Sequence, residues 1–336
     1  MALNFVRRLD LYEQLIDASI NNIPLGLYFE KNLQLNQRIK NRRGIKFFTK
    51  VLEDFNAEGD LLDVLKENIP NDELVIIRLA KDSGALLDGL RRAEDLCKVK
   101  RDTSEKIKRA LTGPTIMFLV VLVVIGGYAA QVFPKFEVAI PVEQWPDVTS
   151  VLYNLGLAIF STSIFIFFAV CWGIYFAIAK YFKHGIGPLR NSFNYWPLAS
   201  IYTNKFTTMF LGVMAGMVKL NTSIADTFTY ISESTDSKWL KSHMDHMMAR
   251  QEEGMELGEV FNTGLLSMTL IAKLGMYGES ADLAETLDKI YQVSIVELNK
   301  QIDKLTGAMK SISTLLIGGV AVWIYLAIFG LTQNFG

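Results

Sequence analysis

Few residues in this 336-residue chain are of a type and spacing to do chemistry. Two of its three histidines, His243 and His246, stand three apart in SHMDHMMAR with Asp245 between them. On a helix that spacing puts both imidazoles on one face, where a divalent metal could bridge them. A metal would need further ligands from elsewhere, and a plain helix face carrying two histidines fits the same residues. Gly84 and Gly89 have the spacing of a phosphate-cradling G-x-x-x-x-G-K-S/T loop, but Leu90-Arg91 occupy the places of the lysine and hydroxyl that such a loop requires. There is no HExxH, and three histidines allow no Ser-His-Asp or Cys-His grouping. The two cysteines lie apart, Cys97 in a charged helical stretch and Cys171 in an apolar run, so no disulfide framework is implied. The expectation is a chain without a catalytic, cofactor-binding or metal site.

The organising elements are instead three apolar runs. Leu111 to Pro134 carries no charged residue, which at 1.5 Å rise per helical residue is enough to cross a bilayer. A second run extends from about Thr149 to Ala179, and a third from Ile312 to Gly336. Half of the chain is hydrophobic and 21% is charged, more charge than a polytopic transporter carries and longer apolar runs than a soluble enzyme shows. Lys106, Lys108 and Arg109 precede the first run, Lys180, Lys183, His184 and Arg190 follow the second, and Lys300, Lys304 and Lys310 precede the third. The positive-inside rule then sets the N-terminus inside, the linker between the first two runs outside, and the C-terminus outside. MALNFVRRLDLYEQ lacks the apolar core and cleavage site of a signal peptide, so the first hundred residues are expected to stay in the cytoplasm. The expected organisation is a cytoplasmic helical domain over 1–110, spans over 111–134, 151–179 and 311–332, a periplasmic linker over 135–150, and a second cytoplasmic helical domain over 180–310.

Both cytoplasmic stretches read as helix after helix. Leu9, Tyr12, Leu15 and Ile16 repeat at three and four residues, a helix follows from about Leu25 to Asn41 with Gly44 as its C-cap, and Asn71 is expected to cap another that reaches Asp82. Ser83-Gly84 turns the chain into a long helix striped by Leu86, Leu90, Ala93 and Cys97. A shift of about 197 residues lays IIRLAKDSGALLDGL over LGMYGESADLAETL, pairing Ser83 with Ser280, Leu86 with Leu283 and Leu90 with Leu287. Each copy opens a long amphipathic helix that runs into an apolar run, so the chain reads as a duplicated helical domain plus span, with one extra span between the copies.

This order of domain, span, span, domain, span resembles the inner-membrane platform proteins of type II secretion and type IV pilus systems. The family's repeat carries Gly-Glu-x-Ser-Gly-x-Leu, whose second half is matched by Ser83, Gly84 and Leu86, with Ala80 and Lys81 in place of its Gly and Glu. In the second copy only Ser280 and Leu283 hold. Val132-Phe133-Pro134-Lys135-Phe136 resembles the family's Val-x-Pro-Lys-Phe. A short N-terminus and the degenerate signature resemble the branch found with toxin-coregulated and bundle-forming pili. The resemblance implies an all-α membrane protein with two homologous cytoplasmic bundles and three transmembrane helices. It implies a non-enzymatic, multi-pass scaffold of the bacterial inner membrane that couples a cytoplasmic hexameric ATPase to insertion or extraction of pilin or pseudopilin subunits. It also implies contacts with other inner-membrane machine components and a homo-oligomer, and the rival reading is a membrane-anchored subunit of an unrelated transporter or signalling complex.

The residues themselves bear on partners in two places. The spans hold no ionisable group, which argues against an ion or proton path. They carry small residues at four-residue spacing instead, Gly126 with Ala130 and Ala169, Gly173 and Ala177, of the kind that lets helices approach closely. Arg38, Lys40, Arg42, Arg43, Lys46 and Lys50 form a basic run with no acidic residue within it, fit for anionic lipid headgroups, an acidic protein partner or simple solvation. A net charge of −1 gives no pull toward nucleic acid.

Overall fold

The computed structural model describes residues 3–161, 166, 169–170, 172–174, 176–178, 180–181, 185, 197–278 and 282–333. Every regular element among them is helical. The first region comprises α1 (Phe5–Ile20), α2 (Leu25–Arg38), α3 (Arg42–Glu58), α4 (Leu61–Lys66) and α5 (Asn71–Asp82). The long α6 (Leu86–Gly127) follows, then a π-helical turn (Tyr128–Val132), α7 (Phe133–Glu137) and α8 (Asp147–Phe160). The second region comprises α9 (Pro197–Lys219), α10 (Ile224–Ser234), α11 (Lys238–Glu252), α12 (Leu257–Val260) and α13 (Met268–Gly278), and ends in α14 (Leu283–Gln333).

Local chemistry accounts for the breaks. Asn4, Asn41, Asp60, Ser223 and Ser237 each turn a side-chain oxygen onto a free N–H of the first turn that follows, satisfying donors that a helix start leaves orphaned. Two turns have the same build 199 residues apart. Asn22 (φ +51) and Asn221 (φ +60) stand in the left-handed region, and the next N–H reaches back five residues, Ile23 to the Ala18 carbonyl at 2.8 Å and Thr222 to that of Met217 at 3.1 Å. Gly59 and Gly254, both at φ +74, follow the ends of α3 and α11, where a Cβ would be strained.

Two local expectations change. Gly44 does not end α2 but is the third residue of α3; α2 stops at Arg38, Lys40 turns the chain at φ +53, and Asn41 caps the new helix. Glycine is needed at Gly44 because the Asn36 and Asn41 amides fill the place of a Cβ, the nearest atom standing 1.9 Å from it. Asn71 is the first helical residue rather than the cap, the cap position belonging to Pro70. Pro114 leaves α6 unbroken, and the departure from α-helical bonding falls at 128–132.

The chain divides into two compact units, Met1–Ser104 with His184–Asn299, and Glu105–Lys183 with Lys300–Gly336. In the first, the two helical regions pack together rather than standing as separate bodies. One apolar core gathers Tyr12, Leu15, Phe29, Leu65, Ile77, Leu90 and Cys97; the other gathers Phe210, Met214, Phe228, Met244, Phe261 and Tyr291 with Ile76 and Leu96. Helices α5 and α6 thus feed both cores.

The second unit carries apolar side chains both in its interior and on its surface. Val121, Ile125, Ala129, Phe133, Leu152, Ile324, Ala327 and Leu331 meet in its interior, while Val123 and Leu315 are 71% and 75% exposed. Helices α6 and α14 are the two among the described residues that are long and apolar enough to cross a membrane. The small residues in close contact are Gly156 and Ala129, where an added Cβ on the glycine would stand 2.3 Å from the alanine methyl. Ala130, Ala169, Gly173 and Ala177 are exposed instead. Thr149 donates to the Ala327 carbonyl at 2.9 Å and the Trp323 indole to that of Val148 at 3.0 Å, tying α8 to α14. Much of the second apolar run, including Cys171 and Ala179, and the flanking Lys183, His184 and Arg190 lie outside the described residues.

Candidate functional site

The signature residues at the end of α5 form a turn. The Ser83 hydroxyl donates to the Leu79 carbonyl at 2.8 Å, Gly84 takes φ +75, and the Ala85 N–H returns to the Ala80 carbonyl at 2.7 Å. This closes α5 and aims α6 back along it. Leu86 packs on the first core and Leu90 is fully buried in it. Gly89 is what lets α5 and α6 touch: a Cβ there would stand 2.2 Å from that of Ala80. In the second copy Leu287 is fully buried and Leu283 partly so, while Ser280 lies outside the described residues.

Beside the Ser83 turn a cavity of about 350 Å³ lies between the start of α6 and the end of α9, lined among others by Asp88, Arg91, Arg92, Lys219 and Asn221. Arg92 straps three helices together. Its Nη1 stands 2.8 Å from Asp288 Oδ1 on α14, its Nε donates to the Gly212 carbonyl on α9 at 3.3 Å, and its guanidinium lies 4.9 Å from the centre of the Tyr291 ring. Burial pushes the Tyr291 hydroxyl up to about 12, against the pull of Arg92. Gly212 and Gly216 make room, since Cβ atoms there would come within 2.9 Å of Tyr291 and 2.8 Å of Arg92.

A buried ionic knot holds the first region to α6. Glu73 is fully buried; it accepts from the Tyr12 hydroxyl at 2.7 Å and from Lys100 Nζ at 2.8 Å, and Arg8 stands 3.3 Å away. Lys100 also reaches Asp72 at 2.6 Å. Burial pulls the Lys100 ammonium down, yet Asp72 and Glu73 together outweigh it and hold the group above its usual value. Burial and the Glu73 carboxylate push the Tyr12 hydroxyl up. The same two causes push the Cys97 thiol up to about 11, which makes it a poor nucleophile. Burial, aided by the nearby charge of Lys100, lowers the Lys205 ammonium. Sequence reading missed this knot because Asp72 and Glu73 look like ordinary acids at a positive helix start, and Tyr12 is 61 residues from its partner.

The basic run lies on α2, α3 and the turn between them. Arg38, Lys40, Arg42, Arg43, Lys46 and Lys50 are all exposed. Lys50 pairs with Glu67, and none of the others forms an ion pair among the described residues. Arg43 borders a groove of about 340 Å³ between α1, α2 and α3. The two histidines do not converge: His243 contacts the Thr263 hydroxyl at 3.0 Å, and His246 the Ser242 carbonyl one turn back on its own helix. Among the described residues no three His, Cys, Asp or Glu side chains stand close enough to hold a metal ion.

The geometry is therefore one of packing, crossing and surface charge. The family model described as "Type II secretion system (T2SS), protein F" matches residues 32–134 and 210–330. The toxin coregulated pilus biosynthesis protein E of Vibrio cholerae serotype O1 (El Tor Inaba) is 28% identical over 329 residues, spanning 97% of this chain and 96% of that protein.

Proposed function

The chain belongs to the type II secretion system protein F family, and on that premise we propose that it is the inner-membrane platform of a pilus-assembly machine. It is a structural component of pilus and secretion machinery in the inner membrane and not an enzyme. The finer reading is that it couples a cytoplasmic hexameric ATPase to insertion or extraction of pilin or pseudopilin subunits, working as a homo-oligomer beside other inner-membrane components and membrane lipids. Its duplicated cytoplasmic domains lie on one side of the bilayer, with three spans and the C-terminus outside.

One observation carries this reading. The family model matches two separate segments, and each ends in a helix that is apolar and long enough to leave the cytoplasm, α6 and α14. The recurrent turns at Asn22 and Asn221 and at Gly59 and Gly254 support the duplication. For a coupling element the ion-pair strap at Arg92 is apt, because it ties the starts of both long helices to the second region. The ATPase is tested by affinity capture of the tagged full-length protein in mild detergent from cells that make the whole machine. The ATPase should come down with it. Its absence, with the protein correctly inserted and the other inner-membrane components captured, would refute the coupling.

A further inference from the structure

Two surfaces of the first compact unit are unlike the rest and complement each other. One is the groove between α1, α2 and α3. Its wall mixes apolar side chains, Leu3, Leu11, Leu35, Ile39, Phe47 and Phe48, with the polar Asp10, Gln14, Asn32, Asn36 and Asn41, and Leu35 and Ile39 remain 54% and 62% exposed. Arg7 and Arg43 stand at its border, and Arg38, Lys40, Arg42 and Lys46 lie on the adjoining stretch without an acidic partner among the described residues. Apolar side chains left in water beside unpaired cations mark a surface that gains by being covered.

The other is the turn from α11 into α12, QEEGMELGE, residues 251–259. Glu252, Glu253, Glu256 and Glu259 are exposed, and none forms an ion pair among the described residues. Gly254 at φ +74 projects Met255, which is 39% exposed, between the carboxylates. The turn is held in shape from behind, since Arg250 Nη1 donates to the carbonyls of Glu259 at 2.8 Å and Asn262 at 2.7 Å. It is an acidic knob with an unbranched apolar tip, and methionine adapts to irregular apolar slots.

Both surfaces are exposed in a single chain, so the knob is not seated in its own groove. We propose that the occupant of the α1–α2–α3 groove is a second copy of this chain, which inserts Met255 between Leu35 and Ile39 and sets Glu252, Glu253 and Glu256 against Arg38, Arg42 and Arg43. Such a contact joins two different surfaces, so each copy keeps a free groove and a free knob, and repetition closes a ring or extends a chain. It rests on the reading above only in that residues 1–110 and 180–310 face the same side of the membrane.

The test is a charge exchange in the full-length protein, with self-association read by cross-linking and light scattering in nanodiscs or mild detergent at low salt. Arg42→Glu with Arg43→Glu should weaken association at least about tenfold, because like charges then face each other across the contact. Glu252→Arg with Glu253→Arg should do the same. All four changes in one chain should restore it, and salt should weaken the native and exchanged proteins alike. All four residues are exposed, so helix content and thermal midpoint should be unchanged, which separates lost assembly from lost folding. A native chain that stays monomeric, either pair having no effect, or no rescue by the exchange would each overturn the proposal. Reversal at the groove alone being effective would mean that a different acidic partner fills it. Capture of the ATPase by the same variants is a separate readout, so the contact and the platform reading can fail independently.

Discussion

The two helical regions solve the same packing problem with opposite chemistry. Under the 199-residue shift that superposes the Asn22 and Asn221 turns, Arg8 and Tyr12 of α1 fall on Thr207 and Leu211 of α9. Under the 197-residue shift of the signature, Glu73 of α5 falls on Leu270 of α13. The first region thus buries a salt-bridged carboxylate where the second buries a leucine. The second core is rich in aromatics and methionines instead, with Phe228 and Phe261 edge to face at 5.7 Å, and its buried polar groups among the described residues are hydroxyls. A buried ion pair adds little net stability over apolar packing, but it tolerates neither a missing partner nor a shifted register. The first region is therefore keyed to one arrangement on α6, whereas the second is adaptable.

That contrast can be broken most forcefully at Glu73. Glu73→Leu should destabilise the first unit by about 3–5 kcal/mol, because Arg8 and Lys100 are left buried with a charge to satisfy. The triple change Arg8→Thr, Tyr12→Leu and Glu73→Leu, which writes the second region's residues into the first, should recover much of that loss. Chemical denaturation of the purified protein checks both, and a triple variant as weak as the single one would contradict the comparison. Next in size is Gly89→Val, which forces a side chain into the α5–α6 contact and should cost about 1–3 kcal/mol, while Gly84→Ala, strained but in open space, should cost only about 1.

Arg92→Ala should cost about 1–2 kcal/mol, since Asp288 is half exposed and recovers water, and should loosen α14 against α9 in hydrogen exchange. A further test is a pH limb. The folded-state thiol of Cys97 lies above its ordinary value of 9.0, at about 11, so its contribution is complete below pH 9 and fades as pH rises through 11. Cys97→Ala should flatten that limb by about 2 kcal/mol in stability measured between pH 8 and 11. A limb of unchanged steepness would place the titrating group elsewhere, Tyr12 and Tyr291 being candidates because burial raises both hydroxyls.

What the sequence made legible was what local rules govern. Apolar periodicity located the buried stripe of Leu9, Tyr12, Leu15 and Ile16, and Ser83-Gly84 announced the turn into α6. Gly44 was misread because glycine near a helix end usually marks a cap, whereas here two asparagine amides crowd its missing side chain. The ionic knot and the Arg92 strap were invisible for a different reason. Their partners lie 61 and 196 residues apart, and each charge alone looks like an ordinary surface residue. Small-residue spacing likewise cannot say which glycine meets a neighbour, and the close contact fell at Gly156 and Ala129.

The two helical regions share one compact unit, α5 and α6 feeding both cores, and the proposal that this unit is cytoplasmic follows from that packing. Its most direct test starts from a Cys97→Ala, Cys171→Ala protein carrying a single new cysteine at Lys40, Glu143 or Glu253, each exposed or half-exposed in the fold. Intact spheroplasts are treated with a membrane-impermeant maleimide. Only the cysteine at Glu143 should be labelled, those at Lys40 and Glu253 reacting after lysis alone. Labelling at Glu253 in intact spheroplasts would put the two regions on opposite faces of the membrane and contradict their packing in one unit.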